Sequence, residues 1–148
     1  MVGTGLISLV KDLCATQRSA ALATQEGGQP YLSLMAFAVT PDLATIIVAT
    51  DRRTRKYANL TAEPRVALLI DNRSNIPADT EEAIAVTALG KAREVQLAEH
   101  EDFLRLFLDR HPHLKDFATS PASALIAVQV ATYIVVQRFG EVQELSLA

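Results

Sequence analysis

Pro30-Tyr31-Leu32-Ser33-Leu34-Met35-Ala36-Phe37-Ala38-Val39 has the composition of a long strand and no face suited to water. Successive side chains of a strand point to opposite sides. Tyr31, Ser33, Met35, Phe37 and Val39 therefore share one face, and Leu32, Leu34, Ala36 and Ala38 share the other. Both faces need cover. In an antiparallel barrel one face goes inward, and the other requires a helix of the same chain, a ligand or a second copy. We expect a homodimer, with a covering helix of the same chain as the open alternative.

The segments on either side fit a barrel. Ser19 to Thr24 is small and apolar, and Gly27 and Gly28 within Gln25 to Gln29 supply a tight turn, so the two runs form a hairpin. Before it, Leu6, Leu9, Val10 and Leu13 recur at helical spacing and predict a short amphipathic helix. After it, a turn at Thr40, Pro41 and Asp42 leads into the β-branched strand Thr45 to Thr50. Thr54 then reads as the N-cap of a helix that stops near Glu63, because Pro64 follows. Arg65 to Asp71 and Ala83 to Val95 are further strands separated by a polar loop, Asn72 to Glu82, and Gly90 marks a bulge in the second. Gln96 to Arg110 is a helix ended by His111 and Pro112, and a last long strand runs from about Ala124 to Phe139. About six strands, three helices and no βαβ alternation make the expected fold mainly β with helices: one antiparallel split β-barrel domain over residues 1–148.

Composition narrows the function. Of 148 residues 49% are hydrophobic, enough for a real core, and the net charge of -3 offers no general attraction for nucleic acid. The eight aromatic residues (three Tyr and five Phe) are too few for a stacking surface on single strands, so no nucleic-acid partner is expected. Cys14, the only cysteine, rules out an intrachain disulfide framework and fits a reducing cytoplasm; among apolar helix residues it reads as a buried, inert thiol. Met1 to Val10 lacks the pattern of an export signal, and Ser123, Gln129 and Thr132 interrupt the apolar tract Ala122 to Val136. A cytoplasmic protein with no membrane partner is therefore expected.

The segment richest in chemistry is Asp51-Arg52-Arg53-Thr54-Arg55-Lys56. Four cations crowd the start of a helix, where the macrodipole is already positive, an unfavourable arrangement without an anion. A phosphate would resolve it, held by free backbone N–H groups, the Thr54 hydroxyl, the Arg55 fork and the Lys56 ammonium. On composition alone a solvated basic corner stays open beside that reading. Asn59, further along the same helix, serves either the phosphate region or a neighbouring backbone group.

Thr50-Asp51-Arg52-Arg53-Thr54-Arg55-Lys56-Tyr57-Ala58-Asn59-Leu60, followed by Glu63 to Leu69, resembles the core motif of the pyridoxamine 5'-phosphate oxidase-like flavoproteins. Gly27 to Ser33 and Leu89-Gly90-Lys91-Ala92 fall where that superfamily has its hairpin and fifth strand. The resemblance implies FMN as cofactor, with Arg55 and Lys56 on its phosphate and Thr50 beside the ring or ribityl chain. It also implies backbone groups near Leu34, Met35 and Ala36 flanking the isoalloxazine, and flavin sites lying between two subunits. The chain departs from the vitamin B6 oxidases themselves: Leu34 and Val39 stand where those enzymes have an arginine and a lysine, a glutamine near Ala85 is missing, and the C-terminal arginine and histidine motif has no counterpart. The resemblance thus implies flavin-mediated hydride or electron transfer between an unidentified small-molecule substrate and electron donor, rather than B6 oxidation. No catalytic residue is assigned.

The rival reading is a module of the same fold that holds flavin, haem or the deazaflavin F420 without turnover. Haem would call for an axial ligand among His100, His111 and His113. His111 and His113 flank Pro112, but no third ligand accompanies them, so no metal site is expected. The acids Asp79, Glu81 and Glu82 read as solvated loop charge.

Overall fold

The computed structural model describes residues 4–138 and 140–147. Phe139, the expected end of the last strand, lies outside the described residues, as do Met1 to Gly3 of the leading segment. The chain opens with α1 (Thr4–Thr16), whose Val10, Leu13 and Cys14 are buried. Strands β1 (Ser19–Glu26) and β2 (Gln29–Ala36) form the hairpin, with Glu26 opposite Gln29. Gly27 and Gly28 between them have φ of 57° and 85°, left-handed values that a two-residue turn matched to strand twist requires.

Then come β3 (Ala38–Val39), β4 (Thr45–Asp51), α2 (Arg55–Ala62), β5 (Arg65–Asp71), α3 (Asp79–Glu82), β6 (Ala85–Glu94), α4 (Leu97–Arg110), a 3-10 turn (Pro112–Leu114), α5 (Lys115–Ala118), β7 (Ser123–Gln137) and β8 (Glu141–Ser146). All strands join one antiparallel sheet, in the order β2-β1-β5-β6-β7-β4-β3, with β8 also paired to β7.

That order closes a barrel. The expected single strand Pro30 to Val39 is in fact two, β2 at one end of the sheet and β3 at the other, separated only by Phe37. Phe37 is fully buried, and its carbonyl accepts hydrogen bonds from His111 Nε2 (2.7 Å) and Arg110 Nη1 (3.3 Å). The end of α4 thus pins the corner at which the chain passes from one sheet edge to the other. β3 pairs with β4 only at Ile46 and Ile47, so beyond Ile47 the edge of β4 that faces β2 has no strand partner among the described residues. β2 and β4 approach each other there without pairing. The barrel is split along this seam.

Its interior is filled by Leu22, Met35, Phe37, Ile46, Val48, Leu68, Ile70, Ile126, Val128 and Tyr133, with the Tyr133 hydroxyl donating to Leu43 O at 2.7 Å. A second cluster, outside the barrel, packs Ile47, Ala49, Leu125 and Ala127 against Phe107 and Ala118 of α4 and α5. Gly90 sits at the expected bulge, where the β6–β7 register shifts. A Cβ there would meet the Gln129 carbonyl oxygen and lie 2.9 Å from Val128 Cγ1, so the close approach of β6 to β7 at the bulge requires glycine.

Four elements go beyond the expected set. α3 forms because the Asp79 carboxylate accepts N–H groups from Ser74, Asn75 and Ile76, which makes this acid a tie for its own loop. The 3-10 turn and α5 follow Pro112, where the expected helix stop holds but helical structure resumes. β8 has one buried residue, Leu145, in an otherwise exposed strand, which gave periodicity little to detect.

Candidate functional site

A cavity of about 270 Å³ opens in the seam. Three sets of residues line it: Leu34, Met35 and Ala36 of β2; Ala49, Thr50 and Asp51 of β4 with Thr54 and Lys56 at the start of α2; and Phe107, Leu114 and Phe117 from α4 to α5. The cavity is therefore two-ended. Thr50, Asp51, Thr54 and Lys56 form a polar end against the helix start, and the aromatic and aliphatic side chains form an apolar slot. The backbone at its rim comes from strand edges without sheet partners among the described residues, β4 beyond Ile47 and the side of β2 away from β1, which leaves N–H and C=O groups unpaired at the seam.

Local chemistry explains the polar end. Thr54 caps α2: its hydroxyl donates to Asp51 O at 2.8 Å and accepts the Tyr57 N–H at 3.3 Å. Thr50, 1% exposed, lies 3.0 Å from it, hydroxyl to hydroxyl. Thr54 thus holds the helix start in shape, although it lines the cavity. The Tyr57 N–H goes to the Thr54 cap and the first helix backbone bond is that of the Ala58 N–H to Thr54 O, so the amides of Arg55 and Lys56 have no acceptor among the described residues.

The four cations divide into two pairs. Arg52 is structural: Nη1 donates to Pro121 O and Ser123 O, and Nη2 meets Glu94 Oε2 at 2.7 Å. Glu94 also accepts the Tyr57 hydroxyl at 2.7 Å, and these two donors, Arg52 first, hold its carboxyl below the usual range. Arg53 grips Asp51 through Nε and Nη2, which with the Arg53 backbone N–H keeps that carboxyl far below its ordinary value. Asp51 is thus an ionised, fully engaged carboxylate, not a proton carrier. Arg55 and Lys56, by contrast, have no carboxylate within 4.0 Å among the described residues. Lys56 lines the cavity; Arg55 is exposed, its guanidinium carbon 5.1 Å from the centroid of the Tyr31 ring.

A family model described as pyridoxamine 5'-phosphate oxidase matches residues 8–137. The chain belongs to the pyridoxamine 5'-phosphate oxidase family. Among curated proteins none matches the sequence. The fold is similar to a heme binding protein from Mycobacterium smegmatis (16% identity, TM-score 0.86, over 99% of this chain and 60% of that one). It is also similar to General Stress Protein 26 from Bacillus anthracis (20%, 0.69, 96% and 100%) and to an FAD-binding protein from Mesorhizobium loti (16%, 0.69, 88% and 90%). The chain spans only about 60% of the length of the mycobacterial protein.

Within this member of the family, seven of the eight residues singled out from sequence, Leu34, Met35, Ala36, Thr50, Thr54, Arg55 and Lys56, lie at or beside the seam. Asn59 does not line the cavity: it is 3% exposed and its Nδ2 donates to Thr24 Oγ1 at 3.1 Å. Its partner is neither of the two expected, the phosphate region or a backbone group, but a side-chain hydroxyl of the β1–β2 hairpin. Sequence reasoning missed Phe107, Leu114 and Phe117: it identified the helix Gln96 to Arg110 but not the wall that the helix and the turns after it build.

No histidine lines the cavity. His111 is buried against Phe107 with Nε2 on Phe37 O, and burial, then Arg110 and His113, hold its pKa below the usual value. Burial pushes the Cys14 thiol up to about 11, and Arg110 only partly offsets this. No helix among the described residues is long and apolar enough to cross a membrane.

Proposed function

We propose that the chain binds FMN in the seam and serves as an FMN-dependent oxidoreductase. The observation that carries this reading is the division of the cations: Arg52 and Arg53 are neutralised by Glu94 and Asp51, whereas among the described residues Arg55 and Lys56 have no carboxylate partner, at a helix start whose first amides have no acceptor. A phosphate fits that position. The apolar slot between Ala36 and Ala49 on one side and Phe107, Leu114 and Phe117 on the other suits a planar ring, and the strand edges suit its polar rim.

When bound, the flavin supplies hydride and electron transfer. The chain's own residues bind and orient: Lys56 and Arg55 compensate the phosphate charge, Arg53 keeps the Asp51 carboxylate from repelling it, and the apolar wall excludes water. Asp51 is paired with Arg53 and no histidine lines the cavity, so this reading assigns no side chain the role of acid or base.

The cavity lies just below the roughly 300 Å³ at which small-molecule sites begin, as expected of half a site. Beside it, Leu32 and Leu34 are 68% and 77% exposed on one face of β2, an apolar stripe that a second copy would cover. The proposed protein is therefore a homodimer with two intersubunit sites, and light scattering that finds a monomer with flavin present refutes that part.

Titration of purified protein with FMN, riboflavin, F420 and haemin tests the whole reading. FMN should bind with quenched fluorescence and more tightly than riboflavin. A haem Soret shift with no flavin binding would replace the reading with the haem module, and a preference for F420 would replace the ring.

A further inference from the structure

Resting on the phosphate reading of the α2 start, the geometry points to Tyr31 as a positioning residue for Arg55. An arginine at a phosphate site needs its N–H donors free and its rotamer restricted, and a carboxylate partner supplies the second at the expense of the first. A ring supplies both. The Arg55 guanidinium carbon lies over Tyr31 at 5.1 Å from the centroid, within the roughly 6 Å reach of a cation–π contact, and such a contact uses the face of the guanidinium and leaves its edge open. Arg55 makes no hydrogen bond to a described residue through that edge, in contrast to Arg52 and Arg53, whose edges are occupied.

The perch is built into the fold. Tyr31 lies directly opposite Thr24 in the β1–β2 register, and Thr24 Oγ1 accepts Asn59 Nδ2. Arg55 and Asn59 are four residues apart on α2, hence on one side of it. Two adjacent contacts therefore dock one side of the helix onto one cross-strand pair: the buried Asn59–Thr24 bond fixes the helix, and Tyr31 fixes the guanidinium one turn earlier. β2 would serve a bound cofactor twice, through Leu34 to Ala36 along the slot and through Tyr31, which holds Arg55.

The test is a double-mutant cycle of Tyr31→Leu with Arg55→Ala, with Tyr31→Phe as the variant that keeps an aromatic face, read by FMN and riboflavin affinity. An exposed cation–π contact predicts a two- to fivefold loss of FMN affinity in Tyr31→Leu, roughly 0.5 to 1 kcal/mol, with riboflavin unchanged. Tyr31→Phe should retain most of the affinity, and Tyr31→Leu should add nothing in the Arg55→Ala background. An independent readout is the Arg55 Nε–H proton resonance without cofactor, which should lie upfield in the wild type and return toward its ordinary position in Tyr31→Leu. An equal loss of riboflavin affinity, a full effect without Arg55, or an unmoved Arg55 resonance overturns the inference. A wild type that prefers FMN while Tyr31→Leu binds it undiminished overturns this inference alone; a wild type that holds FMN no more tightly than riboflavin overturns the phosphate reading and this inference with it.

Discussion

Replacing Arg55 and Lys56 together by alanine separates a phosphate grip from a basic corner, because the two readings predict opposite partitions between binding and stability. Charge-assisted hydrogen bonds contribute about 1.5 to 3 kcal/mol each. Arg55 is exposed and Lys56 half-buried, so the lower figure applies to both, and the pair should weaken FMN binding at least roughly a hundredfold. Stability without ligand should hardly move. The change removes two cations from the positive end of α2, a relief of about 0.3 to 1 kcal/mol each, and forfeits the Tyr31 contact of similar size. Neither residue has a carboxylate partner to strand among the described residues. Arg52→Ala is the contrasting control: it breaks contacts to Pro121 O, Ser123 O and Glu94, so it should lower the melting temperature. Fluorescence titration with FMN and riboflavin at two ionic strengths is the assay, the FMN affinity of the wild type falling with salt while that of riboflavin does not. A parallel loss of riboflavin affinity, or FMN binding that survives the double substitution, refutes the reasoning.

Asn59→Ala should cost about 1 to 3 kcal/mol in urea denaturation, because it leaves the buried Thr24 hydroxyl without its donor, and combining it with Thr24→Val should recover part of that loss; unchanged stability would return Asn59 to the cofactor. His111 titrates below its ordinary value in the fold, so the folded state binds fewer protons than the unfolded chain as pH falls below about 6.5, and stability should drop from there toward acid pH. His111→Gln, which keeps a donor for Phe37 O, should flatten that dependence of melting temperature on pH, and an equal slope in both proteins would exclude His111 as its source. Gly90→Ala should destabilise by about 1 to 3 kcal/mol through overpacking against Gln129 and Val128, which an unaltered thermal midpoint would contradict.

Legibility in the sequence followed the range of the forces involved. The Thr54 cap, the stop before Pro64, β5 at Arg65–Asp71 and the bulge at Gly90 are dictated by adjacent residues, and all were readable. The break at Phe37 was not, because an apolar run of even character carries no mark of where a strand changes partners; the cause lies in His111 and Arg110, more than seventy residues away. The roles of the four cations were hidden for the same reason. Arg52 and Arg53 look like Arg55 and Lys56 on the page, and only Glu94, forty-two residues on, and the rotamer of Asp51 tell them apart. β8 went unread because its polarity leaves little periodic signal.

The corner at Phe37 gives the cavity a particular dependence on the chain's connectivity. Its walls come from residues 34–36, 49–56 and 107–117, brought into register only when the sheet has closed and α4 has docked on the corner. No short fragment contains the site, and a chain cut before Leu97 would keep two walls of three. Any ligand that touches all three walls therefore counts molecules that have completed closure, and its bound fraction serves as an active-site titration of foldedness, sensitive to a loosened corner that a far-ultraviolet spectrum would pass as native.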